Sequence, residues 1–177
     1  MRSEPRTTET AEAVQIFASS DGPGAVSDDE AFRRFYEDEH GEMVRRATLL
    51  TGSVDTAHDV VHEAFAQLWR RWGTIESPGP YLQRSVVNGA RDQHRRTTRD
   101  RGLRQRLRPV AAVPEPSHDP DLARALATLP FNHRAAVVLR YYGGLTEREI
   151  AAQLDCAPGS VGPWIRRGLD RLQEELS

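Results

Sequence analysis

Apolar residues in this chain recur at three- and four-residue steps and never alternate with polar ones over the length of a strand, so the pattern predicts helices throughout. The stretch AHDVVHEAFAQLWRRW is the clearest case. Ala57, Val60, Val61, Ala64, Phe65, Leu68, Trp69 and Trp72 make one apolar stripe, and His58, Asp59, His62, Glu63, Gln67, Arg70 and Arg71 fall on the other face. Upstream, Ser27-Asp28-Asp29-Glu30 has the form of a capping box and predicts a helix running to about Leu50, stopped by Gly52. Downstream, Ser77-Pro78 supplies a cap and a first helical position for a third helix. That helix is expected to turn Tyr81, Leu82, Ser85 and Val86 inward and to leave Asn88, Arg91, Asp92, Arg95 and Arg96 largely outward.

From Thr97 to His118 the periodicity dissolves, and Pro109, Pro114 and Pro116 oppose helix at the end of the stretch. Asp119-Pro120 then opens a second set of helices, expected at about 120–128, 132–142 and 147–154, with a last one ending near Leu176; Thr146-Glu147-Arg148-Glu149 is a second capping box. The expected architecture is therefore all-α: two small helical domains, at 27–97 and 119–177, joined by a flexible linker at 98–118 and preceded by a mobile acidic tail at 1–26.

Composition adds three constraints. With 177 residues and 38% hydrophobic content, the cores must be small. No apolar run is long enough to span a membrane, the N-terminus lacks a signal-peptide core, and Cys156 is the single cysteine, so a cytoplasmic protein without disulfides is expected. The near-neutral net charge of -2 conceals a strong asymmetry. Residues 1–40 carry ten acids against four Arg, whereas residues 84–108 carry nine Arg against Asp92 and Asp100. All 24 basic residues are Arg, and the basic band has the form of a polyanion-binding surface.

Two motifs bear on chemistry. LTEREIAAQLDCAPGSVGPWIRRGLDRL has the layout of a helix-turn-helix: a capped short helix with small Ala151 and Ala152, a turn, and a second helix. Ile150, Leu154, Val161, Ile165 and Leu169 are expected to form the core the two helices share. HDVVH places His58 and His62 on one helical face, as in HExxH metalloproteases, with Asp59 where a general base would stand. Asp is shorter than the usual Glu, however, and no third ligand is evident; His94, His118 and His133 sit in contexts better explained otherwise. No metal, no cofactor and no catalytic residue is expected.

On these residues the chain resembles a known family. LPFNHRAAVVLRYYGGLTEREIAAQLDCAPGSV resembles the σ4 domain of extracytoplasmic-function (ECF) sigma factors of the sigma-70 family, and AHDVVHEAFAQLWRRW with YLQRSVVNGARDQHRR resembles their σ2 domain. The resemblance covers about residues 28–176. It implies a transcription initiation factor that binds core RNA polymerase at the β′ clamp and β flap and directs it to promoter DNA, with an anti-sigma factor as a further partner. By the same resemblance Asp59, His62 and Glu63 face the polymerase, with His62 standing where Gln is usual. Asn88 and Asp92 read the −10 element, and Arg91, Arg95 and Arg96 are suited to phosphates. On the −35 side the matching positions are Ser160, Trp164, Arg166 and Arg167.

Here the chain departs from the pattern. Gly162 and Trp164 stand where the family usually has a Lys and an Arg, with Pro163 between them. A helix beginning at Pro158 would put Pro163 beyond its first turn, at a cost of about 3 kcal/mol. Beginning it after Ser160 as N-cap puts Pro163 in the first turn, where its missing N–H is harmless. The cheaper arrangement predicts a late start and a weakened −35 reading. The alternative function is then a sigma-like interaction protein that binds polymerase or a regulator.

Overall fold

The computed structural model describes residues 25–103 and 120–177, and every regular element among them is helical. The elements are α1 (Ala25–Thr51), α2 (Val54–Trp69), α3 (Pro78–Leu103), α4 (Pro120–Thr128), α5 (Phe131–Tyr141), α6 (Glu147–Leu154) and α7 (Pro158–Leu176). The all-α expectation holds. The acidic tail before Ala25 and the part of the linker at 104–119 lie outside the described residues.

The chain divides into two compact units, residues 1–38 and 39–177. The described part of the first is the opening of α1, where Glu30 pairs with Arg33 and Arg34 at 3.2 and 3.1 Å. These are exposed pairs of the kind that support a helix by a few tenths of a kcal/mol. The helix begins at Ala25, so Ser27 lies inside it and does not cap it as expected. Neither Ala25 nor Val26 opposes helix, and the helix runs back past the capping signal.

In the second unit, α1 ends where expected. Gly52 takes φ 76°, a left-handed value that glycine adopts freely, and Ser53 caps α2 by accepting a hydrogen bond from the Thr56 amide at 3.3 Å. The apolar stripe of α2 is buried from Ala57 to Leu68. It lies close along α3: a methyl group added at Gly89 would come 2.9 Å from Val60 Cγ1.

Two expectations about α3 need correction. The helix continues through Leu103, past the end expected at Thr97, although residues 95–99 are all exposed. Loss of apolar periodicity marks the end of burial, not of helix, and the Thr97 and Thr98 hydroxyls donate back to the Gln93 and His94 carbonyls at 2.9 and 2.8 Å. Its inward face is also broader than the sequence indicates. Leu82 and Val86 are buried, but so are Val87 and Ala90, whereas Tyr81 and Ser85 are only half-buried. The helix is covered on two sides. Val87 and Ala90 belong to one hydrophobic core with Leu49 and Leu50 of α1 and with Leu126, Ala135, Val138, Ile150, Leu154 and Val161 of the later helices.

Polar ties cross the same boundary. Arg134 is 4% exposed; its guanidinium donates to the Leu50 carbonyl at 2.8 Å and to the Leu129 and Ala127 carbonyls at 3.2 and 3.3 Å. A cation at the carbonyl ends of α1 and α4 is favourable both as a hydrogen-bond donor and against the helix dipoles. Arg91 donates to the Leu154 carbonyl at 3.1 Å and lies over the Phe131 ring at 5.7 Å.

The helix-turn-helix is formed by α6 and α7. Thr146 caps α6 in a reciprocal box with Glu149, and Asp155 makes the turn in the left-handed region, φ 54° and ψ 55°. Of the expected shared core, Ile150, Leu154 and Val161 are buried and Ile165 is partly buried, but Leu169 is 37% exposed. Gly168 and Leu172 take the inner positions instead. A methyl group at Gly168 would come 2.7 Å from Val137 Cγ2, so the bare glycine is what lets α7 lie against α5.

Candidate functional site

Between α2 and α3 runs a groove of about 780 Å³ whose lining brings together Asp59, Glu63, Asn88, Asp92 and Arg96. Five residues chosen separately for polymerase and for −10 DNA thus border one concavity. Tyr81, Arg84 and Gln93 line it as well. Sequence reasoning had put Tyr81 inward and did not name the other two as site residues. Their signal was available, since each lies three or four residues from a named position along α3. Glu63 is held on the rim by Gln67, which donates to it at 3.0 Å, and by Arg70 at 3.5 Å.

Two of the expected phosphate-binding arginines differ in placement. Arg95 is exposed and 4.0 Å from Asp92. Arg91 is half-buried, engaged with Leu154 and Phe131, and is not among the residues that line the groove.

His62 is exposed on α2 and forms a cluster with His58 and with His40 of α1. One ring nitrogen of each lies within 4.8 Å of the other two. The rings of His40 and His62 are stacked, with centroids 5.8 Å apart and planes 21° apart, while His58 is tilted at 6.1 Å from His40 and 5.9 Å from His62. Burial, and then the charges of His62 and His58, hold the His40 pKa below the ordinary imidazole value. Sequence reasoning found no third ligand for HDVVH. His40 brings a third ring nitrogen alongside, from a helix too distant in the chain for any spacing rule to connect.

On the helix-turn-helix the late start of α7 is overturned. The helix begins at Pro158 after Ala157, Ser160 is its third residue rather than its cap, and Pro163 lies inside it. Gly162 helps this fit: a proline disfavours helix at the preceding residue through that residue's Cβ, and Gly162 has none. The position is crowded all the same, because a Cβ at Gly162 would stand 3.2 Å from a Glu147 carboxylate oxygen. Trp164 is half-buried and packs against the core, whereas Arg166 and Arg167 are exposed. Burial, and then the Arg167 charge, lower the pKa of His133 on α5.

Two family profiles match in the order of the helices: sigma-70 region 2 over residues 35–100 and sigma-70, region 4 over residues 120–172. The ECF RNA polymerase sigma factor SigE of Mycolicibacterium smegmatis is 33% identical over 198 residues, covering 98% of this chain and 70% of that protein. The RNA polymerase sigma factor CarQ of Myxococcus xanthus is 34% identical over 145 residues, 76% of this chain and 78% of its own. Among solved structures, the sigma factor RpoE in complex with the anti-sigma factor NepR from Bartonella quintana shares the fold with a TM-score of 0.70 at 23% identity, over 83% of this chain and 97% of that one. The chain belongs to the extracytoplasmic-function group of the sigma-70 family, the RNA polymerase sigma factors. None of its described helices is long and apolar enough to cross a membrane.

Proposed function

We propose that this sigma factor divides its work between two surfaces, with the α2–α3 groove as the principal one. The exposed face of α2, with Asp59, His62 and Glu63, docks on the β′ clamp of core RNA polymerase. The groove behind it receives a base extruded from the −10 non-template strand. Asn88 and Asp92 supply polar groups for its edge, and Arg95 and Arg96 sit where the flanking phosphates pass. Arg91 steadies α3 and takes no part while it is held by Leu154. The single observation that supports this reading is that one groove of about 780 Å³ gathers the candidates for both tasks. The protein works in the cytoplasm, performs no catalysis of its own and needs no cofactor for this role. An anti-sigma factor, such as the one bound to the structurally similar RpoE of Bartonella quintana, covers the polymerase-facing surface.

The helix-turn-helix, docked on the β flap, approaches −35 DNA through Arg166 and Arg167, with Ser160 near the helix start. Base reading there is weak. Gly162 offers no donor, Trp164 is packed inward, and the Glu147 carboxylate beside Gly162 repels phosphate. The same observations favour a second reading, a sigma-like protein that holds polymerase or a regulator with little DNA specificity of its own.

Run-off transcription with core polymerase on fragmented genomic DNA separates the two. Discrete start sites that appear only with the protein, and that are lost with Asn88→Ala, support the first reading. Binding to core without any transcript supports the second. Replacing Gly162-Pro163-Trp164 by Lys-Ser-Arg should sharpen the preference at −35; an unchanged preference removes the claim of weakened reading.

A further inference from the structure

We infer that His40, His58 and His62 form a binding site for one divalent transition metal ion of the zinc class, joining α1 to α2. Two ligands spaced four apart on one helix present their rings to the same side. The third ring comes from the neighbouring helix, and the nitrogens already lie within 4.8 Å of one another. Tetrahedral coordination at about 2.0–2.1 Å sets ligand nitrogens about 3.4 Å apart, so the rings have to draw together by about 1.4 Å at most. The connection between the two helices is short, Gly52 and Ser53, and both helices are regular through the cluster, so the backbone is set before any ion arrives.

The donor set selects the ion. Three imidazoles with no thiolate suit zinc, nickel, cobalt or copper and do not suit magnesium or calcium, which take oxygen ligands. His62 is exposed, which leaves an entry path and room for a water or a partner's group as fourth ligand. The alternative, an enzyme centre with Asp59 as base, is not supported: Asp59 lines the α2–α3 groove. The ion is therefore a clasp between two helices. This inference rests on the ring geometry alone and stands whether or not α2 faces polymerase.

The test uses the untagged full-length chain, stripped with a chelator and titrated with cobalt(II) as a spectroscopic probe and then with zinc. One equivalent of cobalt giving visible ligand-field absorption, displaced by one equivalent of zinc, is the expected result. His62→Gln, a change at an exposed position, should weaken zinc binding by about tenfold or more, and His58→Gln likewise. His133→Gln, on α5, should leave it unchanged. Zinc should also raise the thermal midpoint of the native chain and not that of His62→Gln. Absence of a zinc-displaceable cobalt spectrum overturns the site, and so does stoichiometric binding that survives His58→Gln and His62→Gln together.

Discussion

Asp155 is the one described residue other than glycine with a positive φ, at 54°. An L-residue in that region costs on the order of 1 kcal/mol, less for Asp than for most. Asp155→Gly should raise stability by about 0.5–1 kcal/mol, seen as a higher denaturant midpoint at unchanged slope; a lower midpoint would show that the Asp side chain contributes to the turn. Its neighbour Cys156 is packed against the core. Burial pushes the thiol pKa up, Arg91 opposes this, and Asp155 adds to it. Alkylation of Cys156 near neutral pH should therefore be slower than for a free cysteine, which argues against an oxidant sensor. At the start of the same helix, the Thr146 hydroxyl and then its amide hold the Glu149 carboxyl below the ordinary carboxylate value. A depressed folded-state value means that its stabilisation is present above the ordinary carboxylate pKa and is lost as pH falls through the lowered one. Thr146→Ala should flatten that acid limb in a plot of thermal midpoint against pH.

At the scale of the element, α7 is where the local rules and the fold disagree most. Pro163 forfeits one backbone hydrogen bond within the helix, and Pro163→Ala should stabilise the protein by about 2–3 kcal/mol. Gly168→Leu should do the reverse, by about 2 kcal/mol, because the Val137 side chain it meets is itself buried. These residues also explain what could be read from the chain. The face of α2 was legible because a single apolar stripe meets a single buried surface. The face of α7 was misread toward Leu169 because the residue that is buried, Gly168, carries no hydrophobic signal. On α3 the outward-facing reading of Arg91 failed for a related reason: the helix is buried on a second side, and a period of 3.6 identifies one stripe at a time. The local cost of Pro163 points to the first turn, yet the helix that buries Val161 and Leu172 begins at Pro158 and takes Pro163 inside it. Asn88, Asp92 and Arg96 are candidates on the sequence alone, but only the fold shows that they border one groove with Asp59 and Glu63. His40 was out of reach of any spacing argument.

At the scale of the molecule, the segments matching regions 2 and 4 are held by one core and by Arg134. Arg134→Ala would leave the buried Leu50 and Leu129 carbonyls, and the part-buried Ala127 carbonyl, without their cationic donor. A loss of about 3 kcal/mol is expected. Arg134→Lys should recover part of it, since an ammonium reaches fewer of the three oxygens. A single cooperative unfolding transition in calorimetry would agree with the shared core, and two separate transitions would not.

That shared core has a further consequence. Leu49, Leu50, Val87 and Ala90 are kept from water by helices that belong to the other matched segment. If the segments part to reach two DNA elements at once, those four side chains lose their cover. Whatever holds the protein open, polymerase or otherwise, has to present an apolar surface of its own at that spot. The opened form free in solution would be sticky, bind hydrophobic dyes and be short-lived.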